Sequence, residues 1–257
     1  MHSPFDFSNK TALVTGAASG IGAACARFLA ERGTAHLVVT DHDRERLEAL
    51  DLPCRTSRVV GDVGDPAHWD EVAAHLAGLD HAVLNAGVAG AGKPILDMTW
   101  DQWRRTCSTN LDGVFLGLKH AMAAMAESGG GSIVITASVA AVRGIASVDY
   151  GATKAAVAHM ARIAGREGGP LGIRCNAIAP GGVDTPIWDT TEGFSSFVSG
   201  KMQGNRAAAI EEFGKIGNPI GRFATTDEIA GQIGFLLSDM AATINGTVLV
   251  SDGGFSI

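Results

Sequence analysis

Tyr150 and Lys154 stand at i and i+4 in the run Asp149-Tyr150-Gly151-Ala152-Thr153-Lys154, so on a helix their side chains share one face. A free phenol titrates near 10, and proton transfer through it near neutrality needs an adjacent cation, which Lys154 can supply. By itself such a pair usually marks nothing more than an amphipathic helix. Ser138 changes the weighing, because it follows the apolar run Ser132–Ala137 and its hydroxyl can hold a substrate oxygen. A hydride transfer between an alcohol carbon and a nicotinamide needs one group to move the hydroxyl proton and another to steady the developing charge. Tyr150 and Ser138 offer those two functions. Asn110 lies in the polar run Cys107-Ser108-Thr109-Asn110 inside an otherwise helical stretch. It either bends that helix and relays a water toward Lys154, or is a satisfied buried asparagine.

Positioning these residues takes an alternation of β-branched runs and amphipathic segments, the pattern of repeated βα units feeding a parallel sheet. Strands are expected near Thr11–Thr15, His36–Asp41, Ser57–Val60, His81–Asn85, Ser132–Ala137, Gly172–Ala179 and Thr247–Val250. The clearest helices are Gly20–Arg32, Pro66–Ala77, Trp100–Ala126, Asp149–Gly165 and Thr226–Ser238. No domain boundary interrupts residues 1–257, so the fold class is α/β, a single Rossmann-type doubly wound domain. Thr185–Gly217 breaks the rhythm with Trp188, Phe194, Phe197 and Met202 among glycines and serines. It reads either as a substrate lid or as a surface insertion with a small satellite core.

The first strand runs into Gly16-Ala17-Ala18-Ser19-Gly20-Ile21-Gly22 and then into an alanine-rich helix. Glycines in that order allow a tight turn and let backbone N–H groups approach a pyrophosphate. Asp41, at the end of the second strand, is placed to accept hydrogen bonds from a ribose diol and would repel a 2′-phosphate, which favours NAD. Arg44 and Arg46, facing Asp43 and Glu48, keep an NADP reading open. Asp62 and Val63 follow the third strand and Asn85, Ala86 and Gly87 the fourth, at carboxyl ends where open α/β sheets bind ligands. Either group can also serve only as a turn.

Composition narrows the classes. Hydrophobic residues make up 46% and charged residues 18%, which excludes intrinsic disorder. A net charge of -7 without a basic run argues against nucleic acid and membrane-surface partners. Cys25, Cys54, Cys107 and Cys175 form no CxxC pair, and the eight histidines show no ligand spacing, so no metal site is expected and reduced thiols suit a cytoplasmic protein. Met1–Lys10 lacks the basic and apolar regions of a secretory signal, and no apolar run of about 18 residues suggests a membrane span.

With these residues assembled, the chain resembles the short-chain dehydrogenase/reductase family nearly end to end. The motifs appear in family order as Thr15 to Gly22, Asp62-Val63, Asn85-Ala86-Gly87, Asn110, Ser138, Tyr150 to Lys154, and Pro180-Gly181. Gly221-Arg222-Phe223, Asp227 to Ala230 and Asp252-Gly253-Gly254 resemble the closing pattern. The resemblance implies a seven-stranded parallel sheet flanked by helices, with a dinucleotide across the strand ends. It further implies that Lys154 contacts the nicotinamide ribose, that Ile178 backbone atoms and Thr185 orient the carboxamide, that Val183 contacts the cofactor, and that the protein forms a homotetramer through its long central helices and last strand. Three departures stand out: a Ser138–Tyr150 spacing one residue shorter than usual, Leu84 where a second asparagine is common, and a second-strand segment, Gly33 to Asp41, one residue longer than usual.

The function this reading supports is an NAD-dependent interconversion of a secondary alcohol and a ketone, with Tyr150 as acid/base. An NADP-dependent ketone or 3-oxoacyl reductase, or a nucleotide-sensing protein without turnover, are the alternatives. A pocket wall of Val88, Val139, Val142, Ile187 and Trp188, with Asp149 and Arg143 as polar handles, suits a cyclic or aromatic-sized alcohol. Sugars, diols, steroids and acyl thioesters stay open.

Overall fold

In the computed structural model, which describes residues 5–216 and 218–257, seven parallel strands form one sheet. They are β1 (Thr11–Thr15), β2 (His36–Asp41), β3 (Arg55–Val60), β4 (Leu79–Leu84), β5 (Gly131–Thr136), β6 (Ile173–Pro180) and β7 (Val248–Ser251), in the order β3-β2-β1-β4-β5-β6-β7. The helices are α1 (Gly20–Glu31), α2 (Arg44–Glu48), α3 (Pro66–Ala73), α4 (Trp100–Cys107), α5 (Gly113–Ser128), α6 (Val148–Gly168), α7 (Glu192–Ser199), α8 (Arg206–Lys215) and α9 (Thr226–Leu237).

Side-chain alternation splits each strand between two cores. Leu13, Val38, Ile133 and Ile135 pack with Trp69 and Val72 of α3, Leu118 and Met125 of α5 and Val157 of α6. Ala12, Val14, Leu37, Val39 and Val134 pack on the opposite face with Leu29 of α1 and Ile233 and Leu237 of α9. Both faces are therefore covered, as an all-parallel sheet requires. Each fully buried leucine or valine contributes about 1.5–3 kcal/mol. Helix ends follow local chemistry: capping boxes at Thr99/Gln102 and Thr225/Glu228 start α4 and α9, and left-handed Gly129 stops α5.

Because the chain crosses from β3 over to β4, β1 and β4 are neighbours whose connections leave in opposite directions. That switch point opens a crevice at the carboxyl edge of the sheet. The helix expected over Trp100–Ala126 is interrupted by a π-helical turn, Ser108–Asp112, which places Asn110 in the interior. The Thr185–Gly217 segment forms α7 and α8 around an aromatic cluster in which Trp188 stacks on Phe223 at 5.2 Å and Phe213 meets Phe194 and Phe197 at 5.4 and 4.8 Å. It thus carries a satellite core of its own; Gly217, like residues 1–4 of the N-terminal stretch, lies outside the described residues.

Candidate active site

The glycine turn is locked to the end of β4. Thr15 Oγ1 accepts from the Asn85 and Ala86 N–H groups at 2.9 and 3.0 Å, while Asn85 Nδ2 donates to the carbonyls of Thr15 and Gly16 at 3.2 and 3.4 Å. Gly16 takes φ 66°, and a Cβ there would lie 2.8 Å from Ala86 Cα; on Gly22 it would lie 2.0 Å from the Gly16 carbonyl oxygen. Only glycine fits either place. Ser19 in extended backbone starts α1, whose opening residues Gly20, Ile21 and Gly22 carry the N–H groups that a helix N-terminus leaves without intrahelical partners. Thr185 caps this turn from above, its Cγ2 standing 3.2 Å from where a Gly20 Cβ would be.

Asp41 points into the same turn despite the long second-strand segment. Its carboxylate accepts from Ala18 N–H at 2.9 Å and Asp43 N–H at 3.0 Å and is almost fully buried, with acceptor capacity left over. Asp62 is exposed at the rim and accepts from Gly64 N–H at 2.8 Å. The Val63 side chain is buried against Gly113, and its carbonyl accepts from the Trp69 indole at 2.8 Å.

Ser138, Tyr150 and Lys154 come together beyond the end of β5. Ser138 Oγ accepts from Ala140 N–H at 3.2 Å and lies close enough to the Tyr150 phenol to favour its ionised form. Lys154 is buried, donates to the Thr136 carbonyl at 2.8 Å, and holds its Nζ 5.7 Å from the Tyr150 ring centroid. Burial pushes the Tyr150 phenol above its ordinary value, the Ser138 hydroxyl pulling partly against it, and pushes Lys154 down to about 8. Gly87 fills the gap between the two polar groups, since a Cβ there would lie 3.3 Å from both Lys154 Nζ and Asn110 Oδ1. The Asn110 amide holds Val88, donating to its carbonyl at 3.0 Å and accepting from its N–H at 2.8 Å. The Val88 pairing fits the reading of a satisfied buried asparagine, and the π-helical turn around Asn110 fits the reading of a bent helix.

Three sequence expectations fail here. Asp149 is no substrate handle: it is fully buried, accepting from Ala91 N–H at 2.8 Å, Thr106 Oγ1 at 2.7 Å and Tyr150 N–H at 2.9 Å. Burial pushes its carboxyl up, but hydrogen bonds from Ser147, Ala91, Thr106 and Tyr150 hold it below its ordinary value. It anchors the 88–92 loop to the start of α6. Ile178 is no carboxamide contact either, because it sits inside β6 with its carbonyl accepting from Ala137 N–H at 2.8 Å. Trp188 is drawn into the satellite core, its indole N–H on the Val183 carbonyl at 2.8 Å. Pro180 closes β6, and Gly181 fits against Asp252, where a Cβ would be 2.8 Å from its Cα. Sequence reasoning missed Arg206 of α8, which donates to Asp184 at 2.7 Å, Asp189 at 2.6 Å and the Thr185 carbonyl at 3.0 Å, tying the satellite to the residue over Gly20. An isolated arginine so far along the chain carried no signal.

The family model described as Enoyl-(Acyl carrier protein) reductase matches residues 16–256. The chain is 40% identical to cis-4-hydroxycyclohexanecarboxylate dehydrogenase of Sinomonas cyclohexanicum, over 97% of this chain and 98% of that one. The chain belongs to the short-chain dehydrogenase/reductase family. It is an oxidoreductase that interconverts a secondary alcohol and a ketone with a nicotinamide cofactor. It is also 35% identical, over 98% of each chain, to a 2,5-dichloro-2,5-cyclohexadiene-1,4-diol dehydrogenase of Sphingobium indicum. The L-sorbose reductase of Gluconobacter frateurii, whose crystal structure holds NADPH and L-sorbose, superposes with a TM-score of 0.91 at 28% identity, covering 99% of both chains. The residues of this short-chain dehydrogenase/reductase fit a dinucleotide: a cradle closed to any Cβ, a helix N-terminus, a buried carboxylate beside it, and at Thr136 a buried hydroxyl with no hydrogen-bond partner among the described residues.

Proposed function

We propose that this chain is an NAD-dependent dehydrogenase of a ring-borne secondary alcohol, with Tyr150 as its proton-transfer group. The observation that carries the reading is the Ser138–Tyr150 hydroxyl pair beside the buried Lys154 ammonium. When bound, the nicotinamide supplies the hydride acceptor. Tyr150 takes the proton from the substrate hydroxyl, and Ser138 holds the same oxygen as charge develops on it. Lys154 is the cation that favours the phenolate and can contact the nicotinamide ribose, while Thr136 fixes its position. Asn110 acts as a positioning residue by setting the Val88 backbone at the site wall.

NAD is favoured by Asp41, whose buried carboxylate would repel a 2′-phosphate. Arg44 and Arg46, the alternative phosphate ligands, are engaged by Glu48 at 3.3 Å and Asp43 at 3.4 Å. The NADPH held by the sorbose reductase supports an NADP-dependent ketone reductase as the second reading. Two relatives act by name on six-membered rings, which supports a ring alcohol here. We take residues 1–257 as one dinucleotide-binding and catalytic domain, with the segment near 185–217 as its lid and with Gly16 to Gly22, Asp62, Val63, Asn85 to Gly87, Pro180, Gly181, Val183 and Thr185 along the cofactor. Exposed Trp100 and Phe115 on α4 and α5, Ile163 on α6 and Val250 on β7 support a homotetramer, and four free thiols support a cytoplasmic location.

A panel of ring and open-chain secondary alcohols, assayed with NAD and with NADP at matched concentration, tests the proposal. NADH formation from ring alcohols is expected. A strong preference for NADP would refute the role given to Asp41, and turnover of open-chain alcohols alone would refute the substrate class.

A further inference from the structure

We propose that Arg143 forms a carboxylate subsite at the rim of the site, so that the ring alcohol this enzyme takes is an anionic one. The proposal rests on the ring-alcohol reading above and adds the charge. In the mechanism proposed above, Ser138 and Tyr150 hold the reacting oxygen between them, so the loop that joins them in sequence borders whatever carries that oxygen. The loop is firmly built. Val139 and Ala140 are buried, Arg143 N–H donates to the Val139 carbonyl at 3.0 Å, Ile145 N–H donates to the Arg143 carbonyl at 2.8 Å, and Ala146 adopts a left-handed φ of 63°.

The Arg143 guanidinium reaches across to the C-terminal segment, where it donates to the Phe255 carbonyl and lies 4.6 Å from the Phe255 ring centroid. That segment is pinned in turn by Asp252, which accepts from Gly254 and Ser256 N–H at 2.9 and 2.8 Å and abuts Gly181 at the end of β6. Arg143 therefore bridges the rim above the ends of β5, β6 and β7.

A carbonyl and a ring orient a guanidinium without neutralising it. Among the described residues no carboxylate pairs with Arg143; what sets it apart from other arginines without a carboxylate is its place in the loop between Ser138 and Tyr150. The one acid in the loop, Asp149, is buried and fully engaged. In a chain of net charge -7, an anionic substrate needs a local cation, and the planar guanidinium fork matches a carboxylate in geometry.

The test compares 4-hydroxycyclohexanecarboxylate, its neutral carboxamide and cyclohexanol in the wild type, Arg143→Gln and Arg143→Lys. The expected result is a wild-type preference for carboxylate over carboxamide of about tenfold to a hundredfold in kcat/KM, carried by KM. That ratio collapses toward one in Arg143→Gln, is partly restored in Arg143→Lys, and shrinks with added salt. The ratio, unlike absolute activity, is unmoved by a general loosening of the loop. Equal use of carboxylate and carboxamide by the wild type, or a ratio that survives in Arg143→Gln, overturns the subsite while leaving the ring-alcohol reading intact. Failure with all three alcohols overturns both.

Discussion

Replacing Gly22 by alanine isolates the link between the phosphate turn and the end of β4. The new methyl would stand 2.0 Å from the Gly16 carbonyl oxygen, and 2.7 Å from both Gly16 carbonyl carbon and Asn85 Nδ2. Two of these atoms are backbone of the glycine turn and the third is the side chain that staples it, so none can retreat without moving the turn. Overpacking of this kind costs about 1–3 kcal/mol. Displacing Asn85 adds the loss of its two bonds to Thr15 and Gly16, about 1 kcal/mol each. The sum, about 3–5 kcal/mol, corresponds to a melting point lower by about 6–20 °C for a chain of this size. Gly193→Ala in α7, where a Cβ meets nothing within 4 Å, is the control and leaves the melting point nearly unchanged. Scanning calorimetry gives the stability and NADH fluorescence titration the cofactor affinity, which is expected to fall at least tenfold in Gly22→Ala alone. A Gly22→Ala protein that melts within 2 °C of the wild type and binds NADH as tightly (roughly the scatter of such assays) would refute the steric argument.

Asn110→Ala removes two hydrogen bonds to Val88 and leaves the half-buried Val88 N–H and carbonyl unpaired, at a cost of about 1–3 kcal/mol in denaturant unfolding, with kcat lowered more than NADH affinity. Cys25 and Cys175 are buried, burial raising the Cys175 thiol to about 12 and the Cys25 thiol further, and burial also raises Cys107. Titration of the native protein with a thiol reagent at pH 8 should therefore modify half-buried Cys54 first, the other three reacting only on unfolding. Arg206→Ala cuts the tie between α8 and the Thr185 loop, and is expected to speed NADH release in stopped-flow fluorescence, with Arg206→Lys intermediate.

Periodicity and turn chemistry made the central elements legible. β1 and β2 have the expected limits, because an unbroken apolar run bounded by glycine or aspartate leaves few other choices. At the sheet edge, β3 begins two residues early, at Arg55, since polar Arg55 and Thr56 pair with β2 through backbone alone. α7 and α8 were not legible at all: their glycines and serines hide helices that exist by packing Trp188 and four phenylalanines together. Within the site, residue types and order pointed to Ser138, Tyr150 and Lys154, but partners did not show. An aspartate beside the tyrosine looks solvent-facing until Ala91 and Thr106, brought in from other loops, surround it.

The most direct test of the account is single-turnover and steady-state oxidation of a ring alcohol by Tyr150→Phe. Loss of the proton acceptor predicts a kcat lower by about 10²–10⁴-fold with NADH affinity held within about twofold, because the phenol acts in proton transfer and the glycine turn holds the dinucleotide. A variant that turns over at a rate close to the wild type would contradict the assignment of Tyr150.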